Sequence, residues 1–238
     1  MVPHGEGSEE AMVVQDENRK PISSILIVIA MQTEAMPVVN KLQLKEDLDP
    51  VFPKGVPWVR YHGIYKDLHI NLVRPGKDLT LGVDNALLVA LRSKEHALVM
   101  CFLYLMLHFH DRRIPIPVFD LYGVGLRQSF STPNLLKELN LKAGKLSTGD
   151  SLDMSPQDEA SIVANDATVK DMEGAAVAYV ADLFKVPAIF IKAVTDIVDG
   201  DKPTAEEFLQ NLAAVTAALD LAVAQVVDFI SGKCLSEL

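Results

Sequence analysis

At 238 residues the chain fits one ordinary domain, and a composition 49% hydrophobic and 23% charged is enough to bury one core. That excludes a disordered chain, a collagen repeat and a disulfide-stapled miniprotein. Thirty-two acidic residues against 22 basic ones leave a formal net charge of −10, which repels phosphate backbones and argues against nucleic-acid binding, though not against a small nucleoside in a local pocket.

Residues 1–20 are polar and acidic, with no apolar stretch of the signal-peptide type, and read as a flexible arm ahead of a single domain over 21–238. Ile22 to Ala30 (ISSILIVIA) is a nearly continuous β-branched run, as in a central parallel strand. The following MQTEAMPVVNKL has helical spacing, with Met36, Val39 and Leu42 on one side and Pro37 expected in the first turn. Trp58 to Ile64 and Leu68 to Val73 look like the two strands of a hairpin. The longest apolar run, Ala97 to Phe109, has 13 residues, short of the ~20 of a membrane span, so a buried element and a cytoplasmic location are expected.

Further along, Leu135 to Leu141 is a short helical or loop piece, and Gly144 to Ser147 leads into a strand ending in TGDS. Asp171 to Phe184 repeats apolar residues at i, i+3, i+4 and reads as a helix; Val186 to Val194 is a second buried-strand run. Thr204 to Ile230 reads as one long helix, with Pro203 before it and Thr204 with Glu207 as a capping box. Strands alternating with helices give an α/β fold with a mainly parallel or mixed sheet. The two cysteines, Cys101 and Cys234, make no disulfide framework and have no metal-site spacing.

Three acidic residues fall where an open α/β sheet holds its ligands, at the carboxyl ends of strands. Glu34 follows the first strand, Glu173 opens the DMEGAAVAYV helix and Asp196 ends the VPAIFIKAVT strand. Each also has a plain reading: an exposed charge on an early helical turn, a capping residue favoured by the helix dipole, and a turn-former.

The segments AMQTEAMP (30–37), STGDSLDM (147–154), VKDMEGAAVAYV (169–180) and VTDIVDGDKPTAEEF (194–208) together resemble the 5′-methylthioadenosine/S-adenosylhomocysteine nucleosidases, the plant 5′-methylthioadenosine nucleosidases above all. HDRRIPIPVFDLYGVG at 110–125 also looks like the plant form. The resemblance implies a three-layer α/β/α fold of the nucleoside phosphorylase type. It implies a homodimer whose partner closes the 5′ side of the pocket, and no metal or organic cofactor. The implied reaction, a step of methionine salvage, is hydrolysis of the N-glycosidic bond to adenine and 5-methylthioribose.

On these residues the implied roles make chemical sense. Adenine leaves poorly until N7 is protonated, so Asp196 would be the general acid, with a pKa raised by desolvation or a nearby negative charge. Glu173 would hold the ribose hydroxyls beside the oxocarbenium-like sugar, and Glu34 would act as base for the attacking water. Lys170, Asp171 and Met172 belong to the same substrate-facing DMEG segment, and base selection would use backbone groups at Leu152 and Asp153. Met31 and Met172 would flank the sugar, their plain reading being core packing, and Thr195 would support Asp196, or be only a β-branched strand residue. For phosphorolysis, Arg74 and Arg127 are the available cations, each expected to be a solvated surface residue, while Glu34 would repel a phosphate dianion.

The stretch from Asn85 to Phe109 departs from the family, which carries a helix, a strand with a Gly-rich ribose-binding turn and a further strand there. No glycine occurs between Gly82 and Gly123, and 25 residues are too few for a βαβ unit of about 30 plus another strand. The chain is therefore expected to lack one strand–helix element, with ALVMCFLYLML serving as a replacement strand or as a helix over the gap. A chain with that alteration is either a nucleosidase or a relative that binds nucleoside or a sibling subunit without turnover.

Overall fold

The computed structural model describes residues 19–48, 52, 58–74, 98–105, 127–148, 156–195 and 204–238. The expected N-terminal arm lies almost wholly outside them. Strand β1 (Ser24–Ile29) is buried at all six positions, and its alternation assigns the layers. Ile25, Ile27 and Ile29 pack on one side with Ala35, Val38 and Val39 of helix α1 (Gln32–Lys41) and with Val223, Val226, Val227 and Ile230 of helix α5 (Thr204–Ile230). Leu26 and Val28 pack on the other with Val177, Val180 and Ala181 of helix α4 (Gly174–Phe184). Helices on both faces of one sheet make the α/β/α sandwich.

The main sheet also holds β2 (Lys45–Glu46), β3 (Val59–Tyr65), β4 (Leu68–Arg74), β5 (Leu98–Leu105) and β8 (Ala188–Val194), in the order β2-β3-β4-β1-β5-β8. The expected hairpin is β3–β4, antiparallel from Val59↔Arg74 to Tyr65↔Leu68. The strands from β4 to β8 run parallel. A parallel pair, β6 (Leu146–Thr148) and β7 (Val169–Asp171), stands apart. Short helices α2 (Pro133–Glu138) and α3 (Pro156–Asn165) complete the described elements before a terminal 3₁₀ turn.

The altered stretch resolves into a strand, not a helix. Residues Leu98 to Leu105 occupy the slot between β1 and β8, pairing Ile25↔Leu98 on one side and Val99↔Ala188 on the other. Two neighbours thus satisfy its backbone groups, which a helix over the gap would have left unpaired on β1 and β8. The rest of 85–109 lies outside the described residues.

Three local expectations change. Pro37 is the sixth residue of α1, not part of its first turn, so the Thr33 carbonyl loses its helical donor. The buried face of Ala35, Val38 and Val39 holds the helix together across that gap. Asp171 ends β7, and the helix expected from there begins only at Gly174. Thr204 is the first helical residue of α5, not the cap before it, and Pro203 lies outside the described residues.

The C-terminal end of α5 is tied to the hairpin turn. Asp228 accepts from Tyr65 Oη at 3.1 Å and pairs with Lys66 at 2.6 Å. Asp67 accepts from the Ser231 hydroxyl and from the Gly232 N–H at 3.0 Å. Helix α5 includes a 25-residue stretch, Glu206–Ile230, long and apolar enough by composition to cross a bilayer. Leu219, Val223, Val226, Val227 and Ile230 of its C-terminal half are core, while Leu209 and Leu221 are exposed.

Candidate active site

The carboxyl ends of β1, β4 and β8 lie along one edge of the sheet, as parallel pairing requires. From β1 the chain passes through Met31 directly into α1, placing Glu34 at the third helical position. Its carboxylate reaches back to accept the Met31 N–H at 3.2 Å. Glu34 is 1% exposed, so the reading of a solvated charge is corrected: it is a buried carboxylate at a helix N-terminus, where the dipole favours the anion.

The β7–α4 junction separates two tasks. Glu173 is the N-cap residue of α4 by position, yet its side chain makes no capping bond. Asp171 caps instead, accepting the Gly174 N–H at 2.9 Å, and Thr148 Oγ1 accepts the Ala175 N–H at 2.8 Å. A Cβ at position 174 would lie 2.5 Å from Leu146 Cδ2 and 2.6 Å from Asp171 Oδ2, so only glycine lets helix, strand and carboxylate meet. Relieved of capping, the Glu173 carboxylate accepts the Met172 N–H, at 3.2 Å. Burial first, then the Asp171 charge, raise its pKa to about 7, against the pull of Lys192 and the Met172 N–H. It is poised between its two states near neutrality.

Asp171, expected to face substrate, has its carboxylate directed into the protein. It takes the Thr148 hydroxyl at 2.6 Å, the Gly174 N–H and the Lys192 ammonium. Lys192 and Asp171 form an ion pair with side chains 8% and 0% exposed. Lys170 is likewise buried, whereas Met172 is 42% exposed, not packed in the core. Met31 is half-buried at the head of α1. Thr195 is 2% exposed, just past the last residue of β8. Asp196, Leu152 and Asp153 lie outside the described residues.

Two residues were missed or misjudged. Lys192 received no role, although a lysine inside the apolar run VPAIFIKAV requires a buried counter-ion, which is the signal that finds it. Arg74 is buried at the carboxyl end of β4, not solvated, with its Nη2 donating to Tyr61 Oη at 3.3 Å. Arg127 is the more exposed of the two, lying over the Tyr179 ring and beside Asp182 at 3.6 Å. Among the described residues, no group of three or more His, Cys, Asp or Glu side chains is placed to hold a metal ion.

Comparison with known proteins identifies the fold and the family. Residues 117–228 match the model of the phosphorylase superfamily. An Arabidopsis thaliana 5′-methylthioadenosine nucleosidase is 57% identical, with all of both chains covered. An Arabidopsis thaliana 5′-methylthioadenosine/S-adenosylhomocysteine nucleosidase is 55% identical, covering 95% of this chain and 99% of its own. The first alignment runs over 267 positions, so about 29 have no residue of this 238-residue chain. The apo structure of the Arabidopsis thaliana 5′-methylthioadenosine nucleosidase superimposes with a TM-score of 0.87 at 56% identity, over 92% of this chain and 100% of that one. A Helicobacter pylori relative at 19% identity and a TM-score of 0.65 shares the fold. The chain belongs to the 5′-methylthioadenosine/S-adenosylhomocysteine nucleosidase family.

Proposed function

We propose that this chain, an N-glycosyl hydrolase by family, cleaves 5′-methylthioadenosine to adenine and 5-methylthioribose through three carboxyl groups. The identity of 57% over the whole chain carries the reading, and the burial of Glu34 after β1 and the raised pKa of Glu173 after β7 support it. Asp196 delivers a proton to adenine N7, so that the base leaves neutral. Glu173, in its ionised state, holds the ribose hydroxyls and offsets the positive character of the oxocarbenium-like sugar. Glu34 takes the proton from the water that attacks the anomeric carbon. Each acid–base step is worth about 10²–10⁴-fold in rate.

The same reading gives a homodimer, whose association would cover exposed apolar groups such as Leu209 and Leu221 of α5, and a cytoplasmic place in methionine salvage. The alternative is binding of nucleoside or of a sibling subunit without turnover. It is favoured by the 29 missing positions together with the absence of glycine from 83 to 122. Adenine release from 5′-methylthioadenosine by the purified chain, with and without phosphate and with size exclusion as a check on folding, decides between them. Release independent of phosphate supports hydrolysis. A requirement for phosphate would turn attention to the buried Arg74, and a folded chain that releases nothing leaves the binding role. Asp196→Asn and Glu34→Gln are each expected to abolish release without unfolding the protein, and near-native turnover in either would overturn that residue's role.

A further inference from the structure

Helix α4 is entered through a two-residue connection, Met172 and Glu173, between Asp171 at the end of β7 and Gly174 at the first helical position. The Asp171 side chain spans that connection, its Oδ2 accepting the Gly174 N–H at 2.9 Å. Thr148 of β6 adds a second strut. Its hydroxyl donates to Asp171 Oδ1 at 2.6 Å, and its oxygen accepts the Ala175 N–H at 2.8 Å. From β8, Lys192 donates to Asp171 Oδ2. We infer that the buried Lys192–Asp171 ion pair is the positioning unit of Glu173, fixing its backbone and setting its charge, an inference that rests on the ribose-holding role given to Glu173 above.

Backbone placement follows from closure. The span leaves the β7 ladder at Thr148↔Asp171 and re-enters regular structure at the N–H that Asp171 itself holds, so one residue fixes both ends. A closed span this short keeps little of the freedom of an open loop. Three donors converge on the Asp171 carboxylate: the Thr148 hydroxyl, the Gly174 N–H and the Lys192 ammonium. An ionised carboxylate accepts all three, whereas asparagine would set an NH₂ group against one of them. The charge argument uses the same pair. Burial first, and then Asp171, push Glu173 toward its protonated form, while Lys192 pulls it back. Among the described residues no other charge is built into the elements around the junction. Lys192 is the one charged residue of β8, β6 has none, β5 has only Cys101 and Tyr104 as titratable groups, and Asp182 of α4 lies two turns beyond Gly174. Lys170, one place before Asp171 on β7, alternates to the opposite face of that strand.

Two readouts test the pair. The Glu173 carboxyl carbon, labelled with carbon-13 glutamate and assigned by its loss in Glu173→Gln, is titrated by NMR in the parent, Lys192→Met, Asp171→Asn, Lys192→Arg and the double variant Lys192→Met with Asp171→Asn. That titration needs a folded chain but no turnover. Its midpoint is expected to move up in Lys192→Met, move down in Asp171→Asn, lie between the two in the double variant and stay at the parent value in Lys192→Arg. The second readout is kcat/KM for 5′-methylthioadenosine across the same pH range, with thermal melting to establish the folded fraction. A fall of about 10–100-fold is expected for Asp171→Asn even where Glu173 is fully ionised, with Lys192→Arg retaining most of the parent value. Should a single variant unfold, the double variant, which leaves no buried charge unpaired, must still show that loss. Midpoints that stay put, or that move the same way in both single variants, overturn the inference, as does a folded Asp171→Asn with kcat/KM within about threefold of the parent. Glu173→Gln separates the two levels. If it turns over normally, the role of Glu173 fails; if it is inactive while the pair variants keep the parent midpoint and rate, only the positioning role fails.

Discussion

Strands β1 and β8 run parallel on either side of β5, yet they are packed differently. Every residue of β1 is buried, whereas β8 is buried at Ala188 and Ile189 and opens progressively to an exposed Val194. The strand nearest the middle of the fold is a pillar with apolar layers on both faces. The strand at the margin becomes polar as it approaches the site, carrying Lys192 and then leading into Thr195 and Asp196. A site assembled from strand ends needs both: one strand that does not move, and another that can give up apolar packing for charge.

The largest break in this contrast is expected from Lys192→Met. It leaves the Asp171 carboxylate buried without its counter-ion, at a cost of about 3–5 kcal/mol, read as a lower urea midpoint. Adding Asp171→Asn should restore part of the loss; a single variant as stable as the parent would show that the pair carries no such burden. Next comes Ile27→Ala in β1, at about 2–5 kcal/mol, against less than half of that for Ile191→Ala in the half-buried part of β8. Equal costs would erase the difference between the strands. A further effect concerns pH. Glu173 has a folded pKa of about 7 against an ordinary value near 4.5, so the folded state binds the extra proton between those limits. Its stabilising contribution is therefore complete below about pH 4.5 and lost as pH rises through about 7. Glu173→Gln should flatten that part of the stability–pH curve, and an unchanged curve would contradict the raised pKa.

The long apolar runs were legible because their signal is strong. The β1 run, the hairpin and the 27 residues of α5 follow from uninterrupted periodicity. The β7–α4 junction was less so, because DMEG reads smoothly into the apolar spacing of the helix behind it. Only the carboxylate of Asp171 on the Gly174 N–H reveals that strand and cap end before the helix starts. Arg74 illustrates a different limit. Its burial depends on Tyr61 across the hairpin, a tertiary neighbour to which neither residue points in sequence. The three carboxylates were picked out by type and place; at the β7–α4 junction it takes the hydrogen bonds to show that Asp171 caps the helix and Glu173 does not.

The position of β5 also has a consequence in time. During synthesis its pairing with β1 becomes available once residue 105 has emerged, but the partner on its other side is not complete until residue 194. For the whole of that interval the growing chain carries an apolar strand with one row of peptide groups unmatched, the kind of margin to which other chains adhere. The speed with which the later half of the protein is made and captured, more than the strength of any single contact, then governs how much of it escapes aggregation.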